Sequence, residues 1–203
     1  MANVARAVPL PELCADNCAL VDEEQFQAFV RRGRSLTDKI LLSVPDAHTS
    51  CVHIESLQLN SDDNAKLGTV ASIMNFPAAP VLRIASEKVE MSLRHMHEVL
   101  QQSRALLSFV CPRLQNTQTV TDLMDDVRDL SIQISKMLKM LQTEYVVQTP
   151  PPSVTLRLPG EYEVQVATHL TLDRLRSLSQ DMADFFGSLD RSNEETSLQP
   201  DTS

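Results

Sequence analysis

Four aspartates form the most distinctive charged group in this 203-residue chain. They recur at i, i+3, i+4 and i+7, a spacing that places them side by side along one helix face. We call them the acidic stripe: Asp122, Asp125, Asp126 and Asp129. Neighbouring like charges repel by roughly a few tenths of a kcal/mol per pair, and a basic partner would relieve that cost. The stripe therefore indicates either a solvated helix face or a docking surface for a basic partner.

The histidines do not form a recognisable metal or catalytic pattern. None has a Glu three positions earlier, as the di-iron helical proteins require; the five are His48, His53, His95, His97 and His169. His95 and His97 would diverge by about 200° on a helix, so they cannot easily share a metal. The chain has no Gly-x-Ser-x-Gly, His-Glu-x-x-His or phosphate-binding glycine motif. We therefore expect no enzyme activity, no metal and no cofactor.

The cysteine count permits two disulfides. Four cysteines allow three connectivities, and spacing does not choose among them; the candidates are Cys14, Cys18, Cys51 and Cys111. C-x-x-C is absent, which argues against a zinc site. Cys111, beside Pro112, could be a reactive thiol, but a buried or bonded cysteine is the favoured interpretation.

Four amphipathic segments must position these groups. They cover about residues 22–43, 86–111, 119–143 and 161–189, and we call them predicted helices A to D. Their links span about 42, 7 and 17 residues. A short link makes its two helices antiparallel, whereas a long overhand link lets consecutive helices run parallel. The pattern predicts an all-α fold: a four-helix bundle with up-up-down-down connectivity and two long crossover links, a single domain over residues 1–190, and a disordered tail over 191–203.

Apolar spacing within these segments predicts the core. Predicted helix C alternates steps of three and four without interruption, through Val120, Leu123, Val127, Leu130, Ile134, Met137 and Leu141. Helix A offers a shorter stripe of Phe26, Phe29, Leu36 and Ile40, with Gly33 at one core-facing position. We expect Pro45 to end helix A. A short helix is predicted over residues 65–74 of the first long link.

Charge and hydropathy exclude some environments. The net charge is −9, which disfavours nonspecific binding to nucleic acid or anionic membrane. The apolar runs are too short for a membrane span. Residues 1–6 lack the hydrophobic stretch of a signal peptide, so a secreted protein would require this chain to be the mature form.

Several segments resemble the granulocyte colony-stimulating factor family of long-chain four-helix cytokines. The sequence FPAAPVL at 76–82 resembles the Pro-x-Ala-Pro-Leu segment before helix B. DVRDL at 126–130 is similar to Asp-Val-Ala-Asp-Phe in helix C, and VATHL at 166–170 to Val-Ala-Ser-His-Leu in helix D. Positions 24–25 and 35–40 align in helix A without a gap. The likeness covers about residues 20–188 and is greatest to divergent, non-mammalian members.

The resemblance implies a secreted, extracellular growth factor of haematopoiesis and the immune response. Such a ligand is a monomer when free and binds and clusters a class I cytokine receptor to drive myeloid proliferation and differentiation. Matching positions imply a main receptor site at Glu24, Gln25, Asp126 and Asp129, with Asp125 adjacent, and a second site at Glu55. His169 matches a structural histidine of the family. Of the family's two disulfides, only Cys51 falls near a matching cysteine position.

Alternative functions remain open at this point. The nearest is another long-chain cytokine of the same architecture, such as an interleukin-6-like factor. The alternative from a different class is an intracellular helical adaptor, which would have no secretory leader and four reduced cysteines. An enzyme or metal carrier has the least support.

Overall fold

All the regular secondary structure in the described residues is helical. The structure, a computed structural model, describes residues 18–59, 61, 66–77, 89–141 and 154–190, and these contain no strand. The helices are α1 (Cys18–Val21), α2 (Glu24–Cys51), α3 (Gly68–Ile73), α4 (Val89–Val110), α5 (Gln118–Leu141) and α6 (Glu161–Leu189). A 3₁₀ turn at Cys111–Arg113 follows α4. The all-α prediction is thus confirmed.

The predicted helix bounds agree closely with the observed ones for three of the four long helices. α6 matches predicted helix D at both ends, and α5 begins one residue before predicted helix C. The predicted short helix of the first link is present as α3. Residues 86–88 and 142–143, and the predicted disordered tail over 191–203, lie outside the described residues.

The prediction that Pro45 ends the first helix is wrong. α2 continues through Pro45 to Cys51. A proline inside a helix costs about 3 kcal/mol, because it removes one hydrogen bond and crowds the preceding turn. Here the extra turns bury Val44, Ala47 and Cys51, while Pro45 lies on the half-exposed side. Burying apolar side chains at about 1.5–3 kcal/mol for each large one offsets the cost of the proline.

Each long helix buries one stripe of side chains, because apolar residues recur every three or four positions. All seven predicted stripe residues of α5 are buried. In α2 the buried face runs from Phe26 through Val30 and Ile40 to Cys51, whereas Phe29 and Leu36 are only half-buried at its edge. The core thus forms from the faces that the sequence predicts, with a small shift in α2.

The contacts between the long helices show which of them run antiparallel. α2 packs against α5 and α6, and α4 packs against the same two helices. The C-terminal end of α2 meets the segment before α5, where Cys51 Sγ lies 3.1 Å from Asn116 O. Near the other end of α2, Phe29 lies against Lys136 of α5. The same helix meets the end of α6, where Gln27 donates to Leu189 O at 3.0 Å. α2 therefore runs antiparallel to both neighbours.

Gly33 lets α2 approach α6 closely. A Cβ atom at this position would lie 3.1 Å from Cζ of Phe186, whose side chain is fully buried. Glycine thus makes room for an aromatic ring between the two helices, as its predicted core-facing position suggests.

The described parts of the long links pack where α2 and α4 end and α6 begins. A second apolar cluster joins Val52, Leu57, Met74 and Leu156 from the links to residues of α4 and α6. Arg174 of α6 donates to Pro77 O at 2.6 Å and lies 4.6 Å from the centre of the Phe76 ring. These contacts attach the first long link to α6.

Candidate functional site

The acidic stripe lies on α5, but its four carboxylates have different surroundings. Asp126 is 8% exposed and accepts a 2.6 Å hydrogen bond from Lys39 of α2. Asp125 and Asp129 both pair with Arg128, at 3.1 and 3.2 Å. Asp122 is exposed and accepts a hydrogen bond from Gln118 at 2.7 Å. The stripe is therefore partly neutralised within the molecule.

Asp126 has a structural role that the sequence analysis missed. Its side chain lies between α5 and α2, where Lys39 supplies the compensating charge. The hydrogen bond that Lys39 donates to Asp126, together with the charge of that carboxylate, raises the pKa of the Lys39 ammonium. Because a buried carboxylate needs a partner, Asp126 connects two helices and presents little surface to a binding protein. The accessible carboxylates are Asp122, Asp125 and Asp129.

The two α2 residues of the predicted main site lie at the far end of this face. Glu24 and Gln25 are exposed in the first turn of α2. Glu24 precedes Lys39 by 15 positions, which is about 22 Å along the axis at 1.5 Å per residue. Since Lys39 contacts Asp126, the predicted main site is an elongated face with its residues at two ends.

A basic groove separates those two ends. It has a volume of about 810 Å³ between α2 and α5 and is lined by Arg31, Arg32 and Lys136, together with half-buried Phe29 and Leu36. Lys136 Nζ lies 5.5 Å from the centre of the Phe29 ring, within the range of a cation–π contact. The sequence analysis missed this groove; the signal that could have located it is the pair of adjacent arginines on the polar side of predicted helix A. The α2–α5 face thus carries the partly neutralised acidic stripe toward one end, the basic groove in the middle, and Glu24 beside the uncharged Gln25 at the other end.

Glu55 is exposed at the opposite end of the molecule from Glu24. It lies in the link after α2, where the neighbouring His53 N–H donates to Gln165 of α6 at 2.9 Å. The beginning of α2 instead contacts the end of α6, through Gln27 and Leu189. Glu55 is therefore far from Glu24 and Gln25, whereas the carboxylates of α5 lie on the half of the α2–α5 face nearer to Glu55.

Two histidines meet inside the molecule between α2 and α6. His48 Nε2 lies 2.9 Å from His169 Nδ1, and the side chains are 9% and 0% exposed. Burial, and then the charge of His169, lower the pKa of His48 to about 4, while Asp173 acts in the opposite direction. Burial also lowers the pKa of His169. His169 is fully buried, and sequence alone did not indicate its pairing with His48.

The two cysteines with described side chains, which the cysteine count allows to form disulfides, are free thiols in the structure. Cys51 is buried, and its Sγ donates to Asn116 O at 3.1 Å; Cys111 is half-buried. Burial raises the pKa of the Cys51 thiol. Cys51 is the last residue of α2, Cys111 begins the 3₁₀ turn after α4, and the Cys51 side chain is directed to a backbone carbonyl. Cys14 and the side chain of Cys18 lie outside the described residues.

No chemical centre is assembled from the described side chains. Among them, no three His, Cys, Asp or Glu residues cluster closely enough to hold a metal ion. No described helix combines the length and apolar character needed to cross a membrane. The strongest candidate is therefore the charged α2–α5 face. Comparison of the chain with protein-family models, curated proteins and solved structures found no significant match.

Proposed function

We propose that this chain is a secreted long-chain cytokine that binds and clusters a class I cytokine receptor resembling the granulocyte colony-stimulating factor receptor. In this proposal the four long helices form an up-up-down-down bundle. The antiparallel contacts of α2 with both α5 and α6, and the short link between α4 and α5, support that connectivity. The family-like segments at 76–82, 126–130 and 166–170 support the family.

The observation that carries the proposal is the alternating charge of the exposed α2–α5 face. A ligand that acts only by holding receptor chains needs a surface that fixes the orientation of its partner. Opposite charges in separate bands give such orientation and speed association. Here Asp122, Asp125 and Asp129 lie at one end and Arg31 and Arg32 in the middle.

The proposed mechanism is bivalent and involves no chemistry by the ligand. One receptor chain binds the α2–α5 face, and another binds the patch around Glu55. The α2–α5 face runs along the two helices, and Glu55 lies beyond its end in the link after α2, so one monomeric ligand would hold two receptor chains through two different surfaces. Their cytoplasmic ends would then be close enough for associated kinases to act, which would drive myeloid proliferation and differentiation.

Charge reversal on accessible carboxylates tests the main site. We expect the double variant Asp125→Lys and Asp129→Lys to weaken receptor-ectodomain binding by about tenfold or more, about 1.4 kcal/mol, in surface plasmon resonance. Asp184→Lys, at an exposed position of α6, is the matched control. Asp126 is unsuitable for this test, because its side chain is buried at the contact with Lys39 and its reversal would disturb the packing of α2 on α5. Unchanged affinity in a correctly folded double variant would exclude this face as the main site.

One observation favours a second candidate, an intracellular helical adaptor. Cys51 and Cys111 are free thiols, the usual state of cysteines in a reducing compartment. Thiol titration of the natively purified protein separates the candidates. Four reactive thiols after denaturation would favour the adaptor, whereas a disulfide involving Cys14 or Cys18 would favour secretion.

A further inference from the structure

A second groove lies between α4 and α5, on the other side of α5 from the proposed main site. Its volume is about 760 Å³. The groove combines buried Leu100 and Val127 with exposed Phe109 and Ile132, which are 39% and 44% exposed. Single exposed apolar residues are common on proteins, but these two border the same groove at different points along its length, and we call the two side chains together the apolar patch.

The charge of this groove is opposite to that of the chain. Among the described residues, its lining contains Arg104, Arg128 and Lys139 but no carboxylate, although the chain carries a net charge of −9. Arg128 is already paired with Asp125 and Asp129. Within the described part of the chain, no ion pair involves Arg104 or Lys139. Two cations therefore remain available beside the apolar patch.

The floor of the groove adds no compensating negative charge. His97 is 5% exposed and forms hydrogen bonds with Ser131 and Gln101, at 2.9 and 2.8 Å. Burial lowers the pKa of His97, so its ring is neutral at pH 7. The polar groups of the floor are thus occupied within the molecule. An incoming ligand would meet both the apolar side chains and the cations that line the groove.

We propose that the α4–α5 groove is a third receptor contact, which takes an acidic polypeptide segment with apolar side chains from a receptor chain. This inference rests on the proposed function. Carboxylates of the segment would pair with Arg104 and Lys139, and its apolar side chains would pack on Phe109 and Ile132. The arrangement corresponds to recognition of an amphipathic segment in a groove.

The length of the groove favours a polypeptide segment as its occupant. Its lining covers residues 97–109 of α4 and 127–139 of α5, which is about 18 Å of each helix at 1.5 Å per residue. About three turns of a helix, or five to six residues of an extended strand, would span that distance.

Two kinds of groove variant test the proposal against the receptor ectodomain. One variant changes the apolar patch, Phe109→Asp with Ile132→Asp, and the other reverses the rim, Arg104→Glu with Lys139→Glu. We expect each to weaken binding by about tenfold or more. Raising NaCl from about 0.05 to 0.5 M should shrink the effect of the rim variant much more than that of the patch variant, because salt screens exposed charges.

Matched controls lie away from the groove. Ile73→Asp changes an isoleucine of α3 that is 63% exposed, and Arg157→Glu reverses an exposed cation of the second long link. Both should change affinity by less than about twofold.

The outcomes of these experiments distinguish failure of the groove proposal from failure of the proposed function. If the parent protein binds the receptor and the groove variants bind it equally well, the groove proposal alone is wrong. Absence of any binding by the parent protein would overturn the proposed function and this inference with it. A fall of more than about 5 °C in the melting temperature of the rim variant would identify the groove as an internal packing surface, and so would also overturn it.

Discussion

Replacing His48 by glutamine should remove much of the protein's sensitivity to mild acid. His48 and His169 meet inside the molecule, with ring nitrogens 2.9 Å apart. The pair can share one proton in a hydrogen bond, but adding a further proton places a charge in a poorly hydrated site. Glutamine keeps a donor that can reach the His169 ring and removes one titrating group.

The sign of the effect follows from the folded-state pKa. The pKa of His48 is lowered to about 4, against about 6.5 in an unfolded chain. The unfolded chain therefore binds more protons below pH 6.5. The stabilisation by neutral His48 is complete above that pH and is lost as the pH falls toward 4. The linkage relation gives a loss of about 2 kcal/mol between pH 8 and pH 5 for His48 alone. The lowered pKa of His169 acts in the same direction.

Urea unfolding followed by circular dichroism at pH 8, 6 and 5 measures this loss. The free energy of unfolding should fall with decreasing pH in the parent protein, and His48→Gln should reduce that fall by about 2 kcal/mol. His53→Gln, which changes an exposed histidine just after α2, should leave the fall unchanged. If the parent protein and His48→Gln lose the same stability between pH 8 and pH 5, the buried pair is not the source of acid sensitivity.

Three further predictions concern packing and reactivity. Arg174→Leu should lower the free energy of unfolding by about 2 kcal/mol in urea melts, because it removes a charged hydrogen bond and a cation–π contact; a loss below about 0.5 kcal/mol would contradict this. Gly187→Ala should raise the free energy of unfolding by up to about 1 kcal/mol, because the space around its Cβ position is open. Gly33→Ala should not give this increase, because the new methyl group would press on the Phe186 ring. Equal melting temperatures for the two variants would refute the close approach of α2 to α6. Iodoacetamide at pH 8 should alkylate Cys111 before Cys51, whose thiol pKa is raised by burial; peptide mass spectrometry would show the reverse order if this is wrong.

Local patterning was enough to predict the helices but not every boundary. The uninterrupted stripe of α5 predicts both the helix and its buried side chains, since a helix of period 3.6 can bury only one face. Pro45 misled the prediction, because its local cost is about 3 kcal/mol and the compensating burial involves residues distant in sequence. Local signals fail where tertiary contacts outweigh them.

The candidate site could be predicted only in part for the same reason. The spacing of the acidic stripe located it on one face of α5, but Asp126 pairs with Lys39, 87 positions earlier. The His48–His169 contact spans 121 positions. No local pattern encodes such pairs. The burial of Asp126 did leave one signal, its place between Leu123 and Leu130 on the apolar side of the helix.

The hydrogen bonds of Gln27 have a practical consequence for engineering. Its amide donates to Val21 O at 2.9 Å and to Leu189 O at 3.0 Å, so the start of α2 and the end of α6 are held side by side. A short peptide could join these points, which makes the fold a good subject for circular permutation. Affinity tags or fusion partners placed before Val21 or after Leu189 would be attached at the same end of the molecule as Glu24 and Gln25. A permuted chain with its new ends in a distant link would keep tags away from Glu24 and Gln25 in binding studies.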